Sequence, residues 1–233
     1  MAMAEAVRRW YSHGGRCLRV QLNATERRNA LSAPMLHALA DALRVAGQAA
    51  AVRCVVLHAD AAAPVLSSGH DLKELRQVQH AGRGGAAAHA HESSVFALSA
   101  RVCEQMRALP APVVAVVRGL ATAAGAQLAF AADVLLAADE ARFAAPGVRI
   151  GLFCHAPGVP LARRLPAGVA LPMLLTGEPL SARRAHELGA VYRLFAAEQL
   201  DAGVEHIVDA IAAAPPELAA HGKRVFHTHT QLA

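Results

Sequence analysis

Residues 112–130 read PVVAVVRGLATAAGAQLAF, and this stretch decides the fold class. Its first part, PVVAVV, is a valine-rich run that is typical of a buried strand. A glycine and small residues follow, and the alanine-rich remainder favours a helix. The stretch therefore predicts a strand-to-helix junction, where the first N–H groups of the helix are free to bind a developing negative charge.

Other elements alternate around this junction. Three more apolar runs end in turn-forming residues and predict buried strands, namely RCLRVQLN (16–23), RCVVLHAD (53–60) and DVLLAAD (133–139). A helix is predicted after Ser32, which suits an N-cap, with Pro34 in the first turn. Its buried face is formed by Leu36, Leu39 and Leu43.

Later segments favour helices. A glycine-rich stretch, HAGRGGAAAHAH (80–91), predicts a mobile loop before a long helix that runs through Met106. Beyond about residue 157 the strand signal fades, and the end, RVFHTHTQLA (224–233), looks frayed. The fold class is α/β with a helical C-terminal part, in a single domain of residues 1–233 whose core ends near residue 156.

Composition excludes several classes of protein. The 233 residues are 55% hydrophobic and 18% charged, with a formal net charge of +5. The arginines are scattered, so we expect no nucleic-acid partner, and no apolar run approaches the roughly 20 residues of a membrane span. The start has no apolar signal-peptide core, and we expect a cytoplasmic protein. Neither zinc nor disulfides are expected from four widely spaced cysteines, Cys17, Cys54, Cys103 and Cys154.

Four blocks carry a resemblance to a known family: ERRNALS (26–32), VLSSGHDLKEL (65–75), PVVAVVRGLATAAGAQLA (112–129) and ARFAAPGVRIGLF (141–153). In order and spacing they resemble the crotonase, or enoyl-CoA hydratase/isomerase, superfamily over nearly the whole chain. The resemblance implies a spiral of ββα units that assembles as a trimer or a pair of trimers. It also implies an acyl-CoA thioester as substrate, with coenzyme A as part of the substrate and no separate cofactor. Since family members usually continue into further C-terminal helices, the ending at Ala233 indicates either omitted disordered residues or a short protein.

The resemblance assigns an oxyanion hole. Family chemistry passes through a thioester enolate, and two convergent backbone N–H groups stabilise its oxygen. The matching donors are the N–H groups of His70 and Ala124, while Ala123 is small so that the thioester can approach the backbone closely. The alternative is that GLATAAG only packs a helix tightly against a strand.

Two departures from the family pattern concern proton transfer. Hydratases of this family hold a water molecule between two glutamates, one as base and one as acid. This chain has Gln127 at the first position and Gly147 at the second. An amide orients water but does not exchange protons near neutral pH, so ordinary two-glutamate hydration is not expected. We expect Gln127→Glu combined with Gly147→Glu to restore it.

Other ionisable groups are candidates for proton transfer. His91 lies on the helix that the family runs past the acyl pocket, where related dehalogenases use a histidine. Its neighbours His89 and Glu92, and the pair Cys154 and His155, are further candidates. A histidine titrates near neutral pH, but surface or packing roles are more common among the 13 histidines of this chain.

The coenzyme A end of the substrate has its own candidates. By match to the family these are Arg27, Arg28, Ala30, Ser68, Asp71 and Leu72. Guanidinium groups suit phosphate oxygens, but the arginine pair equally fits an exposed turn, and Asp71 fits a helix cap. The sequence leaves two functions open: an acyl-CoA enzyme for isomerisation, decarboxylation or thioester hydrolysis, and a non-catalytic acyl-CoA-binding or scaffold protein.

Overall fold

The computed structural model describes residues 5–80 and 86–230, and only the backbone of residues 77–80 and 86–93 within them. Ten strands lie in this part: β1 (Val7–Ser12), β2 (Cys17–Leu22), β3 (Cys54–Ala59), β4 (Val65–Ser67), β5 (Val113–Val117), β6 (Leu120–Thr122), β7 (Val134–Ala138), β8 (Arg142–Ala144), β9 (Leu180–Ser181) and β10 (Arg193–Phe195). The four strands predicted from apolar runs are confirmed as β2, β3, β5 and β7.

The strands form two sheets. The larger has the order β1-β2-β3-β5-β7-β10, and all its pairs are parallel except β1 with β2. Its central strand β5 is buried at every residue, which explains why PVVAVV contains only apolar residues and no polar alternation. From β3 to β8 successive strands alternate between this sheet and a smaller one, so the chain forms the α/β spiral that the sequence predicts.

The smaller sheet positions the site. Its order is β4-β6-β8-β9, and β4, β6 and β8 run parallel, with Ser67 opposite Ala121 and Thr122 opposite Ala144. The carboxyl ends of parallel strands meet at the same edge of a sheet. Three segments therefore leave this edge together: residues 68–70, 123–124 and 145–147.

Helices cover the sheets. In the described residues they are α1 (Ala33–Gln48), α2 (Leu72–His80), α3 (Ala86–Ala108), α4 (Ala124–Ala131), α5 (His155–Arg164), α6 (Ala167–Thr176), α7 (Ala182–Glu187), α8 (Leu200–Ala213) and α9 (Pro216–His229). The predicted cap of α1 is confirmed, because the Ser32 side chain accepts a hydrogen bond from the Met35 N–H. None of these helices combines the length and the apolar character that crossing a membrane requires.

The C-terminal part differs from its prediction in two ways. It contains the strands β9 and β10, which are only two and three residues long and depend on pairing with β8 and β7. The expected frayed end is also wrong over residues 224–229, which belong to α9, while residues 231–233 of that stretch lie outside the described residues. On α9, Lys223 forms an ion pair with Asp133 at 2.7 Å and His227 Nε2 lies within hydrogen-bond distance of the same carboxylate at 3.0 Å, and these contacts dock the helix on the core.

Candidate active site

The two N–H groups assigned to the oxyanion hole lie in adjacent segments. A Cβ atom at Gly69 would be 2.8 Å from the Ala123 Cβ and 3.1 Å from the Ala124 nitrogen, so the two segments are in direct contact. Among the described residues, neither the His70 N–H nor the Ala124 N–H has a hydrogen-bond acceptor. Ala124 is the first residue of α4, so its N–H has no intrahelical acceptor.

The backbone is held in an unusual conformation at this junction. Ala123 has a φ of +51°, which is rare for a residue with a Cβ. Its N–H donates to the Ala144 carbonyl at 2.8 Å, and its carbonyl accepts from the Gln127 N–H at 3.1 Å. These bonds fix the first turn of α4 with its free N–H groups at the carboxyl edge of the small sheet.

The glycines of this region allow the close approach. Gly69 has a φ of +88°, and a Cβ atom at Gly125 would collide with the Ser67 carbonyl oxygen. The loop after β4 therefore lies in close backbone contact with the first turn of α4, both at Gly69 and at Gly125. The motif GLATAAG predicts that Gly125, like Ala123 and Ala124, is small so that the thioester can approach the backbone. Gly69 was not predicted, although its position directly before the assigned donor His70 was an available signal.

The His70 side chain is kept neutral. Its ring lies edge-on against Phe96, with 4.7 Å between the ring centres, and burial lowers its pKa to about 4. Its Nδ1 atom has no hydrogen-bond partner among the described residues. At neutral pH the imidazole therefore adds no positive charge beside the His70 N–H.

Gln127 lies one turn along α4 from Ala124. Its side chain is 3% exposed, and its Oε1 atom has no hydrogen-bond partner among the described residues. A buried amide oxygen without a donor is costly, so this oxygen is a free acceptor for a polar group that enters the site. The amide itself transfers no proton.

Gly147 leaves no room for the second carboxylate. A Cβ atom there would be 2.5 Å from the Leu152 carbonyl oxygen and 2.7 Å from the Cys154 sulfur. Any side chain at this position requires the backbone to shift. Our expectation that Gly147→Glu helps to restore hydration therefore needs correction, because the local backbone has closed over the position.

The candidates for coenzyme A binding occupy a turn and a helix start. Arg27 and Arg28 lie in an exposed turn, and the Arg27 guanidinium forms an ion pair with Asp71. Asp71 also caps α2, because its Oδ1 accepts from the N–H groups of Lys73 and Glu74 at 3.0 and 3.1 Å. These contacts match the alternative of an exposed turn and a helix cap. Roles for these residues, and for Ala30, Ser68 and Leu72, in binding coenzyme A stay predictions.

Of the alternative proton-transfer groups, only Cys154 and His155 have side chains within the described part of the chain. The side chains of His89, His91 and Glu92 lie outside the described residues. His155 is exposed at the start of α5, and its Nδ1 is 3.4 Å from the Phe153 carbonyl oxygen. In the part of the chain that the structure describes, no group of three acidic, histidine or cysteine side chains is suited to hold a metal ion.

Comparison with known proteins identifies the class that this fold and site define. A family model described as enoyl-CoA hydratase/isomerase matches residues 14–233. A solved enoyl-CoA hydratase from Mycobacterium smegmatis is 37% identical with a TM-score of 0.88, over 97% of this chain and 83% of that one. The fold is therefore the crotonase fold. The chain belongs to the enoyl-CoA hydratase/isomerase family.

Individual relatives narrow the resemblance to one branch. The rat protein named enoyl-CoA hydratase domain-containing protein 3, mitochondrial, is 39% identical over 208 residues, which are 89% of this chain and 66% of that protein. The human crystal structure of the same name is 36% identical with a TM-score of 0.87, over 96% of this chain and 83% of that one. The sequences GLATAAGAQLA (119–129) and PGVRIGLF (146–153) predict membership of this branch, and the prediction is confirmed.

The cytoplasmic location predicted from the sequence is contradicted by these relatives. The rat, mouse and human proteins are all named mitochondrial. An apolar core marks secretory signals only, whereas mitochondrial transit peptides are amphipathic and rich in arginine, so the lack of such a core does not indicate the cytoplasm.

Proposed function

We propose that this protein binds acyl-CoA thioesters and stabilises a thioester enolate with the His70 and Ala124 N–H groups, without ordinary two-glutamate hydration. The observation that carries the proposal is the direct contact between the two donor segments, beside positions that hold an amide and a glycine. Decarboxylation fits such a site without a protein base, whereas isomerisation and thioester hydrolysis also need a base from a residue other than Gln127 and Gly147.

The His70 and Ala124 N–H groups are preorganised donors. Backbone N–H groups held in a rigid junction need no reorganisation when charge develops on the thioester oxygen. Each such donor contributes about 3 to 4 kcal/mol to transition-state stabilisation. The neutral His70 ring, packed against Phe96, adds no competing charge next to the His70 N–H.

Thioesters should bind and free acids should not. We expect calorimetry to give measurable affinity for acetyl-CoA and butyryl-CoA and little for acetate and butyrate, because the two N–H groups and the coenzyme A contacts act together. Coenzyme A alone is the control, because its affinity measures the part of binding that does not depend on the acyl carbonyl. Equal affinity for the acids and the thioesters would contradict the proposal.

A second candidate is a non-catalytic acyl-CoA-binding or scaffold protein. It is favoured by the closed backbone at Gly147 and by the amide at Gln127, since both remove proton-transfer groups. Turnover of a panel of acyl-CoA thioesters separates the two candidates. Release of any product faster than the uncatalysed reaction supports the enzyme, and binding without turnover supports the scaffold.

Assembly as a trimer or a pair of trimers is also part of the proposal. Exposed apolar side chains are concentrated between residues 148 and 175, where α6 packs against the 146–150 turn and α5: Val148, Ile150, Leu152, Phe153, Val159, Leu171 and Leu175. Exposed apolar side chains concentrated on packed neighbouring elements mark a candidate protein contact surface.

Light scattering tests the assembly. We expect a trimer-based mass at micromolar concentration, and Leu152→Ser with Leu171→Ser should shift it toward the monomer because both side chains lie in the patch. Leu218→Ser is the control, since Leu218 is still more exposed, at 66% against 53% and 52%, but lies on α9 outside the patch. A strictly monomeric unmodified protein would count against the proposal.

A further inference from the structure

We propose that Ser67 and Asn29 are positioning residues for the oxyanion hole, and that the Ser67 hydroxyl sets the direction of the His70 N–H. The inference rests on the proposed function and deepens it. It concerns two fully buried side chains, and it starts from the hydrogen bonds that hold the loop after β4.

The Ser67 hydroxyl is the central link of this loop. It donates to the Asn29 carbonyl at 2.7 Å and accepts from the Gly69 N–H at 3.2 Å. The side chain is fully buried, so water cannot replace either bond. Gly69 directly precedes His70, and the orientation of the Gly69 N–H therefore constrains the next peptide, which carries the His70 N–H.

Asn29 supplies the other end of the link. It is fully buried and follows Arg28 in a left-handed turn, with φ values of +49° and +53°. Its Oδ1 accepts from the Ala24 N–H at 2.9 Å, and its Nδ2 lies 3.4 Å from the Val65 carbonyl oxygen. Asparagine tolerates the left-handed conformation, and its side-chain bonds hold its carbonyl toward Ser67.

Backbone hydrogen bonds join the turn at Arg28 and Asn29 to the loop after β4. The Ser68 N–H donates to the Arg28 carbonyl at 3.0 Å, and the Leu31 N–H donates to the Gly69 carbonyl at 2.7 Å. On its other side Ser67 contacts Gly125 in α4, where any Cβ would collide with the Ser67 carbonyl oxygen. Ser67 thus touches the supports of both N–H donors, and its hydroxyl links one of them to the rest of the fold.

Loss of this hydroxyl has a specific consequence. Ser67→Ala leaves the Gly69 N–H and the Asn29 carbonyl buried without a partner, and the loop relieves this by rotating its peptides. The His70 N–H then turns away from the thioester oxygen. Contacts to the rest of the substrate are unchanged, so the polarisation of the carbonyl falls more than the affinity.

The experiment reads the thioester carbonyl directly. Infrared difference spectra of butyryl-CoA labelled with ¹³C at the thioester carbonyl report how strongly the bound carbonyl is polarised. The unmodified protein should lower the stretching frequency relative to solution. Ser67→Ala should lose about half of this shift or more, since one of two donors is misdirected, while calorimetric affinity changes by less than about threefold.

A matched control and a second variant complete the test. Ser99 is an equally buried serine whose hydroxyl has no partner among the described residues, so Ser99→Ala should keep the full shift. If Ser67→Ala does not fold, Asn29→Gly serves in its place, because glycine keeps the left-handed turn and the carbonyl but removes the two side-chain bonds. This variant should lose part of the shift.

The outcomes separate the inference from the proposed function. A full shift in both Ser67→Ala and Asn29→Gly would overturn the positioning role while leaving the proposed function intact. Binding of butyryl-CoA to the unmodified protein without any shift would overturn the proposed function, and the positioning role with it.

Discussion

Gln127→Glu should raise the rate of crotonyl-CoA hydration by roughly 100-fold over the unmodified protein, the lower end of what a general acid–base group contributes. Glutamate is nearly isosteric with glutamine, so packing around the buried side chain is preserved. The new carboxylate lies one turn from the Ala124 N–H, where a water molecule added to the double bond needs a base. We do not expect a gain at the upper end of the range for a general acid–base group, because one group cannot serve both ends of the double bond.

The control for this prediction is Gln127→Met, which has a similar shape and no ionisable group. It should show no gain in hydration. Because the side chain is 3% exposed, burial raises the pKa of the introduced carboxyl group, so the gain should grow as the pH rises through that pKa. An equal gain in both variants, or no gain in Gln127→Glu despite thioester binding, would show that this position does not handle protons.

Adding Gly147→Glu should not improve the Gln127→Glu protein. The Cβ atom alone would be 2.5 Å from the Leu152 carbonyl oxygen, so the second substitution displaces the backbone after β8 instead of adding an acid. Comparing the double and single variants in the same hydration assay measures this. A further large increase in the double variant would show that the turn opens easily.

Asp133→Ala should reduce the free energy of unfolding by about 3 to 5 kcal/mol, which is typical for removing one partner of a buried ion pair. Lys223 is 7% exposed and its Nζ is 2.7 Å from Asp133. Burial already lowers the pKa of Lys223, and without Asp133 the ammonium loses its counter-charge. The same carboxylate accepts from the Val113 N–H at 2.7 Å and pairs with His227, so α9 loses its docking site.

Urea denaturation followed by circular dichroism measures this loss, and Asp201→Ala is the matched control. Asp201 pairs with Arg118 but is 77% exposed, so its removal should cost less than about 1 kcal/mol. Combining Asp133→Ala with Lys223→Met should recover part of the stability, because the uncompensated charge is gone. Equal losses for Asp133→Ala and Asp201→Ala would contradict the docking role of the buried pair.

The sequence predicted the long elements of the fold well. The apolar run PVVAVV is recognisable as a buried strand by itself. The helix after Ser32 is recognisable from the spacing of its leucines and from the cap residue at its start. The strands of the small sheet could not be found in this way, because β4, β6 and β8 are three residues long and exist through pairing with one another. The C-terminal strands were missed for the same reason.

The candidate site was predictable only in part. Motifs led to His70 and Ala124, and a missing side chain was evident at Gly147. The contact that joins the two donor segments depends on the positive φ of Gly69 and on the bonds of Ser67, which are properties of the folded backbone. Similarly, the sequence cannot show that the Leu152 carbonyl and the Cys154 sulfur fill the space beside Gly147.

The central claim is that this site keeps the groups that stabilise charge and lacks the groups that move protons. Steady-state hydration of crotonyl-CoA by the unmodified protein, at concentrations where calorimetry shows thioester binding, tests it most directly. We predict a rate close to that of the uncatalysed reaction. A rate near the value of about 10 s⁻¹ that is common among enzymes would contradict the claim, and proton transfer would then come from another residue, with His91 and His155 the first to replace.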